Sequence, residues 1–340
     1  MMTLRHPLAR RIAAFIALSP DQASEAQFNA LALALYAYQY EHNPWIKRLG
    51  DTMGRPPETL HTWRDIPAMP TDGFKDFDLS CIAPGRASAV FYSSGTTGRQ
   101  TSRHFLSRDA LTVYEASLRR GFALALPPRP PKVWALMPPP ADAPHSSLSY
   151  MLGALGAERF FWDNDEKLAD ALDTLREPVT LFGTAFALVQ LLDGTDRAWR
   201  LPPGSVLLET GGFKGRTREV PRDEFYALLH NRLGVPGENI WSEYGMSEMA
   251  SQFYGQGLST LKCGPHWVRT VAIHPGDGLP ARAGQPGALR HLDLANFNSA
   301  LCLQTGDWGT LAQGGFLLHG RAPGADIRGC SLSVEELWNP

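Results

Sequence analysis

The sequence predicts a layered α/β fold with an antiparallel β-rich portion toward its end, on three observations. Between about residues 61 and 267, apolar runs of strand length alternate with helical patterns, as βα units with parallel pairing require. The first sixty or so residues keep a helical period instead. From about Val268 the runs become short and glycine-punctuated, which suits antiparallel strands in a small barrel or sheet. The expected division is therefore a helical segment over 1–60, an α/β body over 61–267, a β-rich part over 268–320, and a closing tail over 321–340.

Each element has a local reason. RHPLARRIAAFIALSPDQASEAQ resembles a weak signal peptide, with basic residues ahead of an apolar run from Ile12 to Leu18. That run is at the lower limit of length, and Ser19-Pro20-Asp21 reads as a helix stop followed by a fresh start, so a helix is expected. ASEAQFNALALALYAYQY places Phe28, Leu31, Leu35 and Tyr38 near one helical face, a core stripe that Asn43-Pro44 ends. SAVFYSS reads as a strand, and SRDALTVYEASLRRGFALAL as a helix with Ser107 at its N-cap and Asp109 in its first turn. PPRPP breaks the chain before the buried-strand pattern KVWALMP. SLSYMLGALG, PVTLFGT, AFALVQLLDG and GSVLLETGG continue the alternation, and PGALRHLDL, ALCLQTGDWGTL and GGFLLHGR supply the later strands. There is no internal repeat and no low-complexity tract.

Composition narrows the function classes. The 340 residues are 44% apolar and 19% charged, as in a globular protein with a sizeable core, and unlike a disordered chain. A net charge of -2, with no basic arm, gives no reason to expect nucleic acid. Cys81, Cys263, Cys302 and Cys330 are scattered without a CxxC pair, which indicates neither a disulfide framework nor a structural metal. A cytoplasmic protein is expected. No window reaches the roughly 18–20 apolar residues of a transmembrane helix, so no membrane partner is expected.

The chemistry starts at FYSSGTTGRQTSRH, residues 91–104, where Ser93, Ser94, Gly95, Thr96, Thr97 and Gly98 follow a strand and precede a helix. Backbone N–H groups and hydroxyls placed there can converge on phosphate oxygens, with glycines allowing close approach. The stretch is neither a Walker A loop nor a dinucleotide fingerprint, and an ordinary surface loop is the alternative. ENIWSEYGMSEM sets Tyr244, Gly245, Ser247 and Glu248 after a short apolar segment. The Ser247 hydroxyl can bond phosphate, and the Glu248 carboxylate can hold Mg²⁺. LQTGDWG puts Asp307 in a glycine-flanked turn, where its two oxygens could accept both hydroxyls of a ribose. HGRAPGADIRGCSL adds Arg321 and Arg328. Taken singly, Glu248 reads as a surface acid, Asp307 as a turn former and Arg321 as a solvated charge. A serine-hydrolase elbow at Gly245-Met246-Ser247 fails, because Met249 stands where GxSxG needs glycine.

In this order the motifs resemble those of the adenylate-forming superfamily of acyl-CoA synthetases, firefly luciferase and peptide-synthetase adenylation domains. SSGTTG looks like its phosphate loop, YGMSE its YGxTE motif, TGDW its TGD motif and GRAPGADIRG its hinge-region motif. Within it, FNALALALYAYQYEHNPW, DIPAMPTDGFKDFDLSC, SSGTTGRQTSRH, HSSLSYM, ETGGFKG and RGCSL are most similar to LuxE-type acyl-protein synthetases and related stand-alone proteins of biosynthetic clusters. The resemblance spans most of the chain.

It implies the large N-terminal domain of the adenylate-forming fold, α/β layers plus a small β-barrel-like subdomain. It further implies ATP- and Mg²⁺-dependent conversion of a carboxylic acid to an acyl-adenylate. Ser93, Ser94, Thr96 and Thr97 would then hold the β- and γ-phosphates, with Ser247 at the α-phosphate and Glu248 at Mg²⁺. Asp307 would take the ribose, with Arg321 close by. Glu209, Gly211 and Gly212 would form the adenine pocket, with Tyr244 and Gly245 beside it, and His145 would lie near the reacting carboxylate. The LuxE-type likeness implies acyl transfer to a cysteine near the C-terminus, a place that Cys330 occupies, before hand-over to an acceptor protein such as a reductase or carrier. Arg328 could lower that thiol's pKa.

Two departures qualify this. Gln100, Thr101 and Ser102 stand where many relatives have Pro-Lys-Gly, leaving Arg99 or Arg103 to supply the positive charge. The chain also ends at Pro340, soon after the hinge-region motif, so most of the mobile C-terminal domain with its catalytic lysine is expected to be lacking. The acid would be fatty on the LuxE-type likeness or aromatic on the biosynthetic one, with an apolar tunnel or a short pocket lined by residues such as Phe182 or Phe213 deciding. A lapsed enzyme that binds nucleotide as a scaffold is the reading from another class.

Overall fold

The computed structural model describes residues 4–93, 101–126, 132–162, 165–211 and 220–321. The chain divides into two compact units, one formed by Met1–Gly121, Gly245–Gln252 and Lys262–Pro340, the other by Phe122–Tyr244 and Phe253–Leu261.

The first unit opens with α1 (Pro7–Ala17), α2 (Glu25–His42) and α3 (Pro44–Thr52). His6 Nδ1 accepts the N–H of Leu8, and Pro7 sits where a helix needs no N–H, so the start of α1 is encoded locally. Ile12, Phe15 and Ile16, within the apolar run that resembled an export segment, are buried on the inner side of this helix. Ser24 and Gln27 cap α2 reciprocally, each side chain accepting the other's backbone N–H, an arrangement worth about 1 kcal/mol. Phe28, Leu31 and Leu35 are buried as the stripe predicts, and the half-buried Tyr38 stacks on Phe297 at 5.0 Å. Asn43 ends α2 and starts α3, its Oδ1 accepting from Trp45 and Ile46.

The strand β1 (Met69–Pro70) and the short helix α4 (Gly73–Asp76) lead to a hairpin of β2 (Ala89–Tyr92) and β3 (Arg103–Leu106). Its register, Ala89↔Leu106 to Tyr92↔Arg103, brings Ser93 opposite Ser102. These two close the hairpin: Ser93 N–H donates to the Ser102 carbonyl at 3.1 Å, and Ser102 N–H to Ser93 Oγ at 3.0 Å. The helix α5 (Arg108–Ala125) follows, capped as expected by Ser107 Oγ, which accepts from Ala110 at 3.1 Å.

The second unit alternates β4 (Lys132–Leu136), α6 (Ser147–Ala154), β5 (Arg159–Phe160), α7 (Asp165–Thr174), β6 (Val179–Thr184), α8 (Ala185–Asp193), β7 (Val206–Thr210), α9 (Arg222–Leu233), β8 (Ile240–Tyr244) and β9 (Phe253–Gln256). The strands lie in the order β5-β4-β6-β7-β8-β9, parallel through β8, with β9 antiparallel to β8. Leu181, Phe182, Leu207, Leu208 and Ile240 are fully or nearly fully buried, as parallel strands covered on both faces must be. Leu188, Leu192, Phe225, Leu229 and Leu233 supply the helical side of that core. Thr184, Thr210 and Glu243 fall in register, so the C-terminal ends of β6, β7 and β8 share one edge.

After the short β10 (Leu261–Cys263), the chain completes the first unit with β11 (Val268–Ile273), β12 (Pro286–Asp293), β13 (Cys302–Ala312) and β14 (Gly315–Arg321). These are the antiparallel strands expected from Val268, and β1 pairs with β13 in parallel. Asp307 differs from expectation: it lies within β13, opposite Arg321, not in a turn. The neighbouring glycines that suggested a turn flank a register shift between Trp308 and Gly309. A Cβ on Gly309 would come within 2.7 Å of the Leu317 carbonyl oxygen, so the strand needs glycine there for close approach.

Candidate functional site

In the first unit the chemistry gathers around Glu248. Its side chain is only 11% exposed, which removes the reading of a solvated surface acid. Ser102 Oγ donates to Glu248 Oε1 at 2.8 Å, and His104 Nε2 lies 3.1 Å from the same hydroxyl and 3.7 Å from Oε1. Because the Ser102 proton is given to the carboxylate, its oxygen is the acceptor toward the imidazole, so Nε2 carries the proton. The His104 ring is held by stacking on Phe74, 4.7 Å between centroids. Burial pushes the Glu248 carboxyl up, but the bonds from His104 and Ser102 outweigh it and hold the group below its ordinary value. This is not a hydrolase triad. In a triad serine and acid use opposite ring nitrogens, whereas both partners here face Nε2, and Ser102 is wholly buried.

The segment carrying Glu248 is fixed from below by Asp293, which is completely buried. Asp293 Oδ2 accepts the N–H of Ala250 at 3.0 Å, while Oδ1 accepts from Ser251 Oγ at 2.7 Å and Ala295 N–H at 2.9 Å. Trp267 Nε1 donates to Ser251 and Ser117, each at 3.0 Å. Asn296 Nδ2 holds the Glu248 carbonyl at 2.9 Å. Burial pushes the Asp293 carboxyl up to about 6 despite its three donors.

The other expected residues of this unit are placed as follows. Ser247 is half-buried, its Oγ directed at the Tyr92 carbonyl at 3.5 Å, beside Ser93 in the chain. Asp307 Oδ1 pairs with Arg321 Nε at 3.2 Å. Arg103 forms an ion pair with Asp78 at 2.8 Å. Gly245 is exposed.

In the second unit the relevant residues sit at the C-terminal edge of the parallel strands, where open α/β sheets bind ligands. Glu209, at the end of β7, is buried and its Oε1 accepts from the Tyr226 hydroxyl at 3.0 Å. Arg222 donates to that hydroxyl at 2.8 Å and to Ser242 Oγ at 3.2 Å, extending the network to β8. The Thr210 hydroxyl donates to the Glu243 carboxylate. Gly211 follows with φ of 73°, a left-handed conformation that glycine adopts without strain, and nothing would obstruct a Cβ there. Tyr244 is buried, edge-on to Phe253. His145 is exposed ahead of α6, whose N-cap is Ser146.

Ser94, Gly95, Thr96, Thr97, Gly98, Arg99, Gly212, Phe213, Arg328 and Cys330 lie outside the described residues. Sequence reading missed His104, Asp293 and Asn296 and treated Ser102 only as a departure from Pro-Lys-Gly. One signal was present: the polar Asp293, Asn296 and Asn298 interleaved with apolar residues in HLDLANFNSAL. Among the described residues no three His, Cys, Asp or Glu side chains converge as a metal cage. A single carboxylate nonetheless suits Mg²⁺, which takes one or two from the protein and the rest of its oxygens from phosphates and water. No described helix is long and apolar enough to cross a membrane.

No protein-family model matches the sequence, and no curated protein does. Solved structures do match. A 2-hydroxyisobutyryl-CoA ligase in complex with 2-HIB-AMP and CoA is 17% identical, with a TM-score of 0.64 over 87% of this chain and 75% of that one. ATP-bound MatB from Rhodopseudomonas palustris is 16% identical, with a TM-score of 0.51 over 81% of this chain and 56% of that one. The McyG A-PCP structure complexed with phenylalanyl-adenylate is 15% identical, with a TM-score of 0.50 over 71% and 48%. At these identities the likeness is one of fold: the chain has the mixed α/β fold of the N-terminal portion of adenylate-forming enzymes.

Proposed function

We propose that this protein activates a carboxylic acid with ATP, forming an acyl-adenylate and pyrophosphate. The observation that carries the reading is the bonding of Glu248 to Ser102, the residue that closes the base of the SSGTTG stretch against Ser93. A hydroxyl-rich stretch and a buried ionised carboxylate are thereby joined, which is what binding a metal-bound triphosphate needs. Three solved structures of the same fold hold ATP or an acyl-adenylate.

On this reading the Ser93, Ser94, Thr96 and Thr97 hydroxyls and the Gly95 and Gly98 backbone take the β- and γ-phosphates. Ser247 contacts the α-phosphate, and Asp307 with Arg321 takes the ribose. Glu209, Gly211, Gly212, Tyr244 and Gly245 bound the adenine, and His145 contacts the acid. Glu248 would hold Mg²⁺, which when bound neutralises phosphate charge. A carboxylate oxygen of the substrate attacks the α-phosphorus, the bond from that phosphorus to the bridging oxygen breaks, and pyrophosphate leaves. Catalysis is then positioning and charge neutralisation, with no protein nucleophile. The acyl acceptor proposed is the Cys330 thiolate, which would attack the acyl carbon and release AMP before hand-over to an acceptor protein. The acid is fatty on that route, aromatic if the protein serves a biosynthetic cluster.

Isotope exchange between labelled pyrophosphate and ATP, run with a panel of aliphatic and aromatic acids, tests this. Exchange that depends on one class of acid is expected. ATP binding without exchange across the panel would instead favour a nucleotide-binding scaffold.

A further inference from the structure

Ser102 uses its backbone and its side chain for different purposes. The backbone closes the β2–β3 hairpin against Ser93, and that closure needs no hydroxyl from residue 102. The hydroxyl goes elsewhere, to the carboxylate of Glu248, 146 positions along the chain. Behind it stands His104, 4% exposed, whose Nε2 donates to Ser102 Oγ. The donors run in one direction, from imidazole to hydroxyl to Glu248 Oε1. Phe74 fixes the ring plane, and Asn296 fixes the Glu248 backbone.

An unsupported carboxylate rotates about its last bond and spreads its two oxygens over many positions. The Ser102 hydroxyl, bonded to Oε1 from the buried side and itself held by His104, removes that freedom and turns Oε2 toward a cation. We propose that Ser102 and His104 are positioning residues that orient the Glu248 carboxylate toward the divalent cation accompanying a nucleoside triphosphate, and tie that orientation to the base of the SSGTTG stretch at Ser93. The proposal rests on the reading above for the nucleotide, while the positioning itself rests on the contacts alone. Outer-sphere partners of this kind typically change metal affinity by about 10–100-fold.

The test needs no turnover. Binding of Mn²⁺ with the α,β-methylene analogue of ATP, which cannot be adenylated across, is measured by the loss of the free Mn²⁺ resonance. Binding of the analogue alone is measured by calorimetry. The variants are Ser102→Ala, His104→Phe, which keeps a ring for Phe74, and His104→Gln, which keeps an N–H donor. Ser102→Ala and His104→Phe are expected to weaken metal-dependent binding about tenfold or more and leave metal-free binding within about twofold, with His104→Gln recovering most of the loss. Wild-type affinity in Ser102→Ala and His104→Phe overturns the proposal, as do a parallel loss of metal-free binding, equal behaviour of Phe and Gln at 104, or no metal-dependent binding by the wild-type chain. If His104→Phe does not fold, Ser102→Ala with His104→Gln decides by the same criteria. A wild-type chain that shows this pattern but exchanges no pyrophosphate refutes adenylation and leaves the positioning intact. Exchange with unperturbed metal binding in the variants does the reverse.

Discussion

Glu248→Gln should lower acid-dependent pyrophosphate exchange by about a hundredfold or more while leaving the fold in place. The substitution is close to isosteric. Its amide oxygen can still accept the Ser102 hydroxyl, so the 2.8 Å bond and the packing around it need not change. What disappears is the negative charge, which the His104 and Ser102 donors hold in place against burial and which a magnesium ion would need. Exchange assays at saturating ATP over a range of Mg²⁺, alongside thermal unfolding, separate the two effects. A variant that melts with the wild type but barely exchanges fits the account; one that exchanges normally does not.

Asp293→Ala should destabilise the protein by about 2 kcal/mol at pH 7.5 and impair exchange as well, because it strips the acceptors from Ala250, Ser251 and Ala295. The buried carboxylate is costly in its charged form, so part of the loss of three bonds is offset by removing that charge. The pH dependence carries a sign. Burial raises the Asp293 carboxyl from 3.8 to about 6, so the folded state holds the proton more tightly than the unfolded chain does. This group's contribution to stability is therefore greatest below pH 4 and declines as pH rises toward 6, by something on the order of 3 kcal/mol. The deficit of the variant should accordingly widen from pH 7.5 to pH 4, as measured by urea unfolding at each pH. A deficit that is constant across this range would contradict the assignment.

The parts of the molecule that were legible in the sequence are those set by local chemistry. The Ser107 cap, the Asn43-Pro44 break and the Phe28, Leu31, Leu35 stripe each depend on residues within one or two helical turns, and the structure has them as read. The change to antiparallel strands at Val268 was visible as a change in run length and glycine spacing. Asp307 was misplaced into a turn because glycine neighbours serve a register shift as well as a reversal, and only the pairing of β13 with β12 and β14 distinguishes the two. The motifs around Ser93 and Glu248 were readable as strings, but the support of Glu248 was not. Ser102 and Asp293 reach the 248–251 segment from far away in the chain, and such contacts leave no periodic trace. Arg103 shows the same limit in reverse: its charge was legible, its partner Asp78 was not.

The central claim is that a carboxylate oxygen becomes bonded to the α-phosphorus of ATP. Incubating the protein and ATP with carboxylic acids labelled with ¹⁸O in the carboxylate, and adding hydroxylamine to attack the acyl carbon, reads that bond directly by mass spectrometry of the nucleotide. The account predicts AMP carrying one ¹⁸O atom, with pyrophosphate unlabelled. Labelled inorganic phosphate together with ADP, or nucleotide left unconsumed with every acid, would contradict it.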